Sequence, residues 1–182
     1  SSNVAKTASY YDFFNHLISI PFTYINFYYN SIIMNIYDCF MYFDEDLLLD
    51  LRLNILNEYV KKFVITEATY THNGTKKKLN FDVNKFQKFK DKINYIVVDE
   101  QPPNILDLVD NESKNKRGEK LILNGMARDY FQREQLTKGL EESNENDLII
   151  ISDLDEIPNL EKFVYKAKIS LFEQKMYFYK FN

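Results

Sequence analysis

The sequence predicts an α/β layered fold with a largely parallel sheet, and two observations carry that prediction. Short apolar runs alternate with segments of helical spacing. The runs are apolar on both faces instead of alternating. Strands buried on both sides belong to a sheet covered by helices on each face, which requires crossover connections and parallel neighbours. At 182 residues the chain is sized for one domain; 45 % hydrophobic residues supply a core, and 27 % charged residues suit a soluble surface.

Residues 1–33 are aromatic and polar by turns with no clear period, and are expected to form an N-terminal extension to a domain spanning 34–182. Leu17 to Met34 has the length of a membrane span, but Pro21, Asn26 and Asn30 interrupt it. A spanning helix needs ~20 mostly apolar residues, so no clear span is predicted, nor is a signal peptide. Ile36 to Phe43 reads as a buried strand, closed by Asp44-Glu45-Asp46. Asp46 to Tyr59 has helical spacing, with Asp44 as the expected N-cap. Lys62 to Ala68 is a second strand, followed by a polar loop from Thr69 to Lys78 with the turn signal His72-Asn73-Gly74.

Asp82 to Lys92 is predicted as a basic helix with Val83, Phe86 and Phe89 spaced three apart, and Ile93 to Val98 as a third strand. Gln101-Pro102-Pro103 opens an irregular segment to about Glu119; a loop of that length is usually functional or disordered. Lys120 to Glu142 is helical, Asp147 to Ser152 is a wholly apolar strand, and Pro158 stands near the start of a further helix. Leu171 to Phe181 reads as a last strand.

Net charge is −4, so the chain has no general attraction for phosphate backbones, and nucleic acid is not an expected partner. The single cysteine, Cys39, excludes an intramolecular disulfide and a Cys-rich zinc site. That suits a reducing compartment, and a cytoplasmic or membrane-peripheral location is expected. Asn73-Gly74-Thr75 and Asn111-Glu112-Ser113 are glycosylation sequons that matter only in a secretory lumen. The bias towards Asn, Ile, Lys, Tyr and Phe is what an AT-rich genome imposes, so the aromatic richness is not read as function.

The strongest local feature is the run from Ile149 to Pro158, where a buried strand delivers Asp153, Asp155 and Glu156. Ligands of such sheets bind beyond the carboxyl ends of the strands. In extended chain, residues 153 and 155 point to one side, so both carboxylates can face one ion. Hard oxygen ligands select Mg²⁺ or Mn²⁺. Arg128, Gln132 and Arg133 lie on the preceding helix, and arginine forks match phosphate. The plainer readings stay open: an acidic turn capping the next helix, and salt bridges of the arginines to Asp129 and Glu134. Glu67 ends the second strand on the same expected side. Arg52 is expected to pair with Asp50 or Glu45, and Lys76-Lys77-Lys78 to be solvated.

Taken in order, the motifs resemble glycosyltransferase family 17. They are Tyr37 to Phe43, Leu51-Arg52-Leu53, Phe63-Val64-Ile65 with Glu67, Gly74, Arg128, Phe131-Gln132-Arg133, Gly139-Leu140, and Asp147 to Pro158. The resemblance covers roughly Met34 to the C-terminus. It implies a GT-A type, Rossmann-like fold, a nucleotide-sugar donor (UDP-GlcNAc in characterised members), a glycan acceptor, a divalent cation and inversion at the anomeric carbon. Asp153 and Asp155 match the family's metal and diphosphate motif, and Glu156 its trailing acid. Donor binding is therefore expected at Asp153, Asp155, Glu67, Arg128, Gln132 and Arg133, and metal at Asp153, Asp155 and Glu156. Ala68, and His72-Asn73 before Gly74, depart from the family pattern and leave the sugar open.

The chain is expected to stop short of a full family domain, leaving the fold incomplete at its C-terminus. An inverting transferase needs a carboxylate base for the acceptor hydroxyl; none stands out, and it is expected beyond Asn182. Two alternatives accompany this reading. One is a Mg²⁺-dependent phosphohydrolase of haloacid-dehalogenase type, disfavoured because the acidic pair comes late in the chain. The other is a catalytically incomplete binding domain.

Overall fold

The computed structural model describes residues 34–161, 163–165 and 168–173. It groups Ile33–Ile157 into one compact unit and places the residues from Pro158 in another. The first unit contains, in chain order, β1 (Ile36–Met41), α1 (Asp46–Leu56), β2 (Lys62–Ala68), a 3₁₀ helix (Val83–Lys92), β3 (Ile93–Val98), α2 (Lys114–Glu134), a short 3₁₀ segment (Gln135–Gly139) and β4 (Leu148–Ile151). The four strands form one sheet in the order β3-β2-β1-β4, and every pairing is parallel. The expected α/β class is what the chain adopts.

Winding starts at β1, moves outward through β2 and β3, then returns to the far side of β1 as β4. The direction of winding thus reverses between β1 and β4. In an open parallel sheet that reversal opens a crevice at the carboxyl ends of the two strands, where ligands bind.

Strand register assigns the two faces. Asp38, Phe63 and Ile93 lie in line across the sheet, so Asp38, Phe40, Phe63, Ile65, Glu67 and Tyr95 share one face. Tyr37, Cys39, Val64, Thr66, Ile96 and Ile149 share the other. Helix α1 covers the first face: Leu49, Leu53 and Leu56 are fully buried, and the Arg52 guanidinium lies 4.6 Å from the Phe40 ring centroid. Each such side chain removed from water contributes roughly 1.5–3 kcal/mol. The segment after α2 covers the second face, where Leu136 packs with Tyr37, Cys39 and Val64. Gly139 makes that approach possible, because a Cβ there would sit 2.3 Å from Val64 Cγ1.

β2 and β3 have the predicted bounds; the other elements differ for local reasons. β1 ends at Met41 and not Phe43, and the N-cap of α1 is Glu45 and not Asp44. The Glu45 carboxylate accepts from the N–H groups of Phe43 and Asp44, turning the chain one residue later than expected. The expected basic helix is 3₁₀, capped by Asp82, with a non-helical Phe86 inside it. Its three-residue aromatic spacing is the period of a 3₁₀ helix, in which i and i+3 eclipse. α2 begins at Lys114, six residues before the expected start, capped by the Ser113 hydroxyl, and its α-helical part stops at Glu134. The segment before it is consequently shorter, and Asn124 clips it by bonding both N–H and C=O of Leu106.

No helix follows Pro158 among the described residues, contrary to expectation. The described residues of the second unit include a tilted ring contact between Phe163 and Phe172, with centroids 5.2 Å apart. Of the predicted last strand, Leu171, Phe172 and Glu173 carry no regular structure, and the remainder lies outside the described residues. The expected extension 1–33 does so too.

Candidate functional site

The chain leaves β4 at Ile151 and turns at once. Glu156 donates its N–H to the Asp153 carbonyl at 3.0 Å, closing a β-turn over Asp153, Leu154, Asp155 and Glu156. The expectation that residues 153 and 155 share a side because the chain is extended does not apply, since the strand has already ended. Leu154 is buried inside the turn, whereas Asp155 and Glu156 are exposed. Glu156 Oε2 accepts the Asp153 N–H at 3.2 Å, so this acid also braces the turn.

What folds the turn is Arg52, which the sequence had paired elsewhere. Its partner is not Asp50 or Glu45 but Asp38 of β1, through Nε to Oδ2 at 2.8 Å and Nη2 to Oδ1 at 2.7 Å. Both side chains are completely buried. Arg52 Nη1 donates to the carbonyls of Asp153 (2.7 Å), Leu154 (3.1 Å) and Glu156 (3.2 Å). Nη2 also donates to the Ser152 hydroxyl, which passes a hydrogen bond on to the Glu156 carbonyl. Only a planar five-donor fork can hold a carboxylate and three converging carbonyls together. The guanidinium charge is balanced by Asp38, as a buried cation requires. α1 and β1 therefore fix a turn that β4 delivers to the β1/β4 crevice.

Of the two predicted arginines, Arg133 is the one that reaches the acidic turn from the helix side of the crevice. Arg133 Nη2 donates to Asp153 Oδ1 at 3.0 Å and lies 3.6 Å from Asp129 Oδ2. Burial lowers the Arg133 pKa, but the hydrogen bond to Asp153 and the charges of Asp129 and Asp153 outweigh it, and the net shift is upward. Arg128 pairs with neither Asp129 nor Glu134. It donates from Nε to Gln101 Oε1 at 2.7 Å and from Nη1 to the His72 carbonyl at 3.0 Å. Gln132 Nε2 donates to the Thr66 carbonyl at 3.0 Å. Both residues are buried.

Glu67 is completely buried at the end of β2. It accepts from Lys77 Nζ, from the N–H groups of Asn80 (2.8 Å) and Phe81 (3.1 Å), and from Tyr95 Oη (2.7 Å). Its oxygens thus organise the loop after β2 from beneath. Lys77 is consequently not solvated as expected; it pairs with Glu67 and sits 4.9 Å from the Phe43 ring centroid. The 69–78 segment folds back as a small hairpin, with Tyr70 bridged to Lys76. Gly74 turns it at φ +86°, where an added Cβ would lie 2.5 Å from Arg128 Nη2. Beside this hairpin a shallow groove is lined by His72, Ile122, Gly125, Met126, Asp129 and Tyr130.

Asp153 and Asp155 are the acids whose chemistry fits a hard divalent ion. Mg²⁺ typically takes one or two carboxylates and completes its shell with phosphate oxygens and water. Among the described residues no set of three or more His, Cys, Asp or Glu closes on a common point, so no all-protein cage is present there. Cys39 is not a candidate ligand: burial, reinforced by Asp38, holds its thiol pKa far above the usual value. Also among the described residues, no helix is long and apolar enough to cross a membrane.

The sequence pattern missed the Asp38–Arg52 clamp, because its partners lie 14 residues apart and converge only through the sheet. The one signal was an arginine among the leucines of an amphipathic helix.

In comparison with known proteins, a family model described as glycosyltransferase family 17 matches residues 24–178, well over half of the chain. No curated protein and no solved structure matches.

Proposed function

The chain belongs to glycosyltransferase family 17, and on that premise we propose that it transfers N-acetylglucosamine from UDP-GlcNAc to a glycan hydroxyl, with inversion and with a divalent ion at Asp153 and Asp155. That it is a glycosyltransferase, and so uses a nucleotide-sugar donor and a glycan acceptor, follows from the family. The donor, the ion and the stereochemistry are our reading. One observation carries it above all: the Asp153–Glu156 turn is held by a buried arginine at the crevice where the sheet reverses its winding.

Asp153 and Asp155 supply the carboxylates that hold Mg²⁺ or Mn²⁺, and Glu156 braces the turn that presents them. The ion, when bound, neutralises charge on the departing diphosphate. Arg133 offers the diphosphate a guanidinium already poised at the rim. Glu67 and Arg128 contribute to donor binding from below, by fixing the loop after β2 and the hairpin that turns at Gly74, and Gln132 by tying α2 to β2 at the Thr66 carbonyl. Such preorganisation lowers the cost of ordering the site when donor binds.

Calorimetric titration with UDP tests the reading. Affinity should depend on Mn²⁺, disappear with chelator, and be lost in Asp153→Ala. UDP binding that is indifferent to both metal and Asp153 would remove the basis for this site.

A further inference from the structure

One contact at the rim joins the helix to the acidic turn. The Arg133 guanidinium lies between two carboxylates, Asp153 on the turn and Asp129 one helical turn earlier on α2. The partners differ in kind. Asp129 shares the helix with Arg133 and stays beside it whatever the turn does. Asp153 belongs to another element, and its side chain is 57 % exposed against 29 % for Arg133. A solvent ion can therefore reach Asp153 while Arg133 keeps a partner.

Resting on the reading of Asp153 as a metal and donor ligand, we propose that Arg133 is the resident cation of Asp153 in the unloaded protein and passes to the donor diphosphate when ion and nucleotide bind. A divalent ion and a guanidinium on one carboxylate repel each other, so metal arriving alone competes with Arg133 for Asp153. Metal arriving with a nucleotide meets less resistance. The diphosphate provides oxygens that match the guanidinium fork, and the displaced arginine gains a partner in place of the one it loses. Asp129 keeps the guanidinium at the rim throughout the exchange. Asp153 does not have to move, because Arg52 holds the backbone of its turn. Ion and nucleotide then favour each other's binding, and by linkage the coupling is the same in both directions.

The full chain is titrated calorimetrically with Mn²⁺ alone and with UDP at saturating Mn²⁺, as wild type, Arg133→Gln and Arg133→Lys. The glutamine variant should bind Mn²⁺ alone about two- to fivefold more tightly, the range an exposed ion pair represents. Its UDP affinity in saturating Mn²⁺ should fall roughly tenfold or more, as expected for a lost charged hydrogen bond. Lysine keeps the charge without the fork, so it should still resist Mn²⁺ alone and recover only part of the UDP affinity. A glutamine variant that binds Mn²⁺ no more tightly, or UDP as tightly as wild type, overturns the exchange and leaves the donor site standing. A wild-type protein without Mn²⁺-dependent UDP affinity overturns both.

Discussion

Arg52 and Asp38 form a completely buried, two-point ion pair, and the arginine's remaining donors hold the backbone of the acidic turn. The same guanidinium therefore serves the core and the site. Two kinds of loss can be separated by substitution. Removing one partner of a buried pair leaves the other charged and unpaired, at a cost of about 3–5 kcal/mol. Arg52→Ala should lower unfolding free energy by about that amount in urea titrations. Replacing both, as Arg52→Met with Asp38→Leu, should recover much of the stability, because well-packed apolar residues often substitute for buried pairs. Metal-dependent UDP affinity should not return with it, since methionine cannot hold three carbonyls.

The hairpin after β2 makes a second prediction. Gly74 has φ +86°, and the space its Cβ would need is filled by Arg128. Left-handed backbone alone costs an ordinary residue about 1–2 kcal/mol, and the clash adds to that. Gly74→Ala should therefore destabilise by about 2 kcal/mol in urea titrations. It should also loosen Arg128 from Gln101 and the His72 carbonyl, which hydrogen exchange at residues 71–76 would report as faster exchange.

A third prediction concerns alkaline pH. Burial, then the hydrogen bond to Glu67 and its charge, raise the Tyr95 pKa well above the ordinary tyrosine value. A group whose folded pKa is raised contributes stability that is fully present below its unfolded pKa and is lost as pH climbs towards the folded one. Stability should thus fall progressively above about pH 10. Tyr95→Phe should be less stable at neutral pH by about 1 kcal/mol, for the lost hydrogen bond, and show a shallower alkaline decline. Unfolding titrations at pH 8 and above, wild type against variant, measure both. An equal slope in the two proteins would mean that Tyr95 does not titrate differently on folding.

The α/β architecture was legible because buried parallel strands leave continuous apolar runs, and β2 and β3 could be bounded to the residue. Glu67 and the Asp153–Glu156 acids could be placed at strand ends for the same reason. Local spacing could not show what each side chain would meet. Glu67 looked like a ligand-side acid, but Asn80, Phe81, Lys77 and Tyr95 close over it from 10 to 28 residues away. Arg52 had acids nearby in sequence, yet its partner lies across the sheet on β1. An extended chain would set Asp153 and Asp155 on one side, whereas Arg52 draws three carbonyls inward and makes a turn. In each case a long-range polar contact decided the outcome, and periodicity carries no record of such contacts.

On the proposed reading, Asp153 and Asp155 hold the ion that meets the donor diphosphate. Crystals grown with Mn²⁺ and UDP, measured for anomalous scattering, test it most directly. One Mn²⁺ peak should be bonded to carboxylate oxygens of Asp153 and Asp155 and to the diphosphate, on a turn still held by Arg52. A Mn²⁺–UDP pair bound elsewhere on the chain, with these two aspartates free of it, would contradict the account.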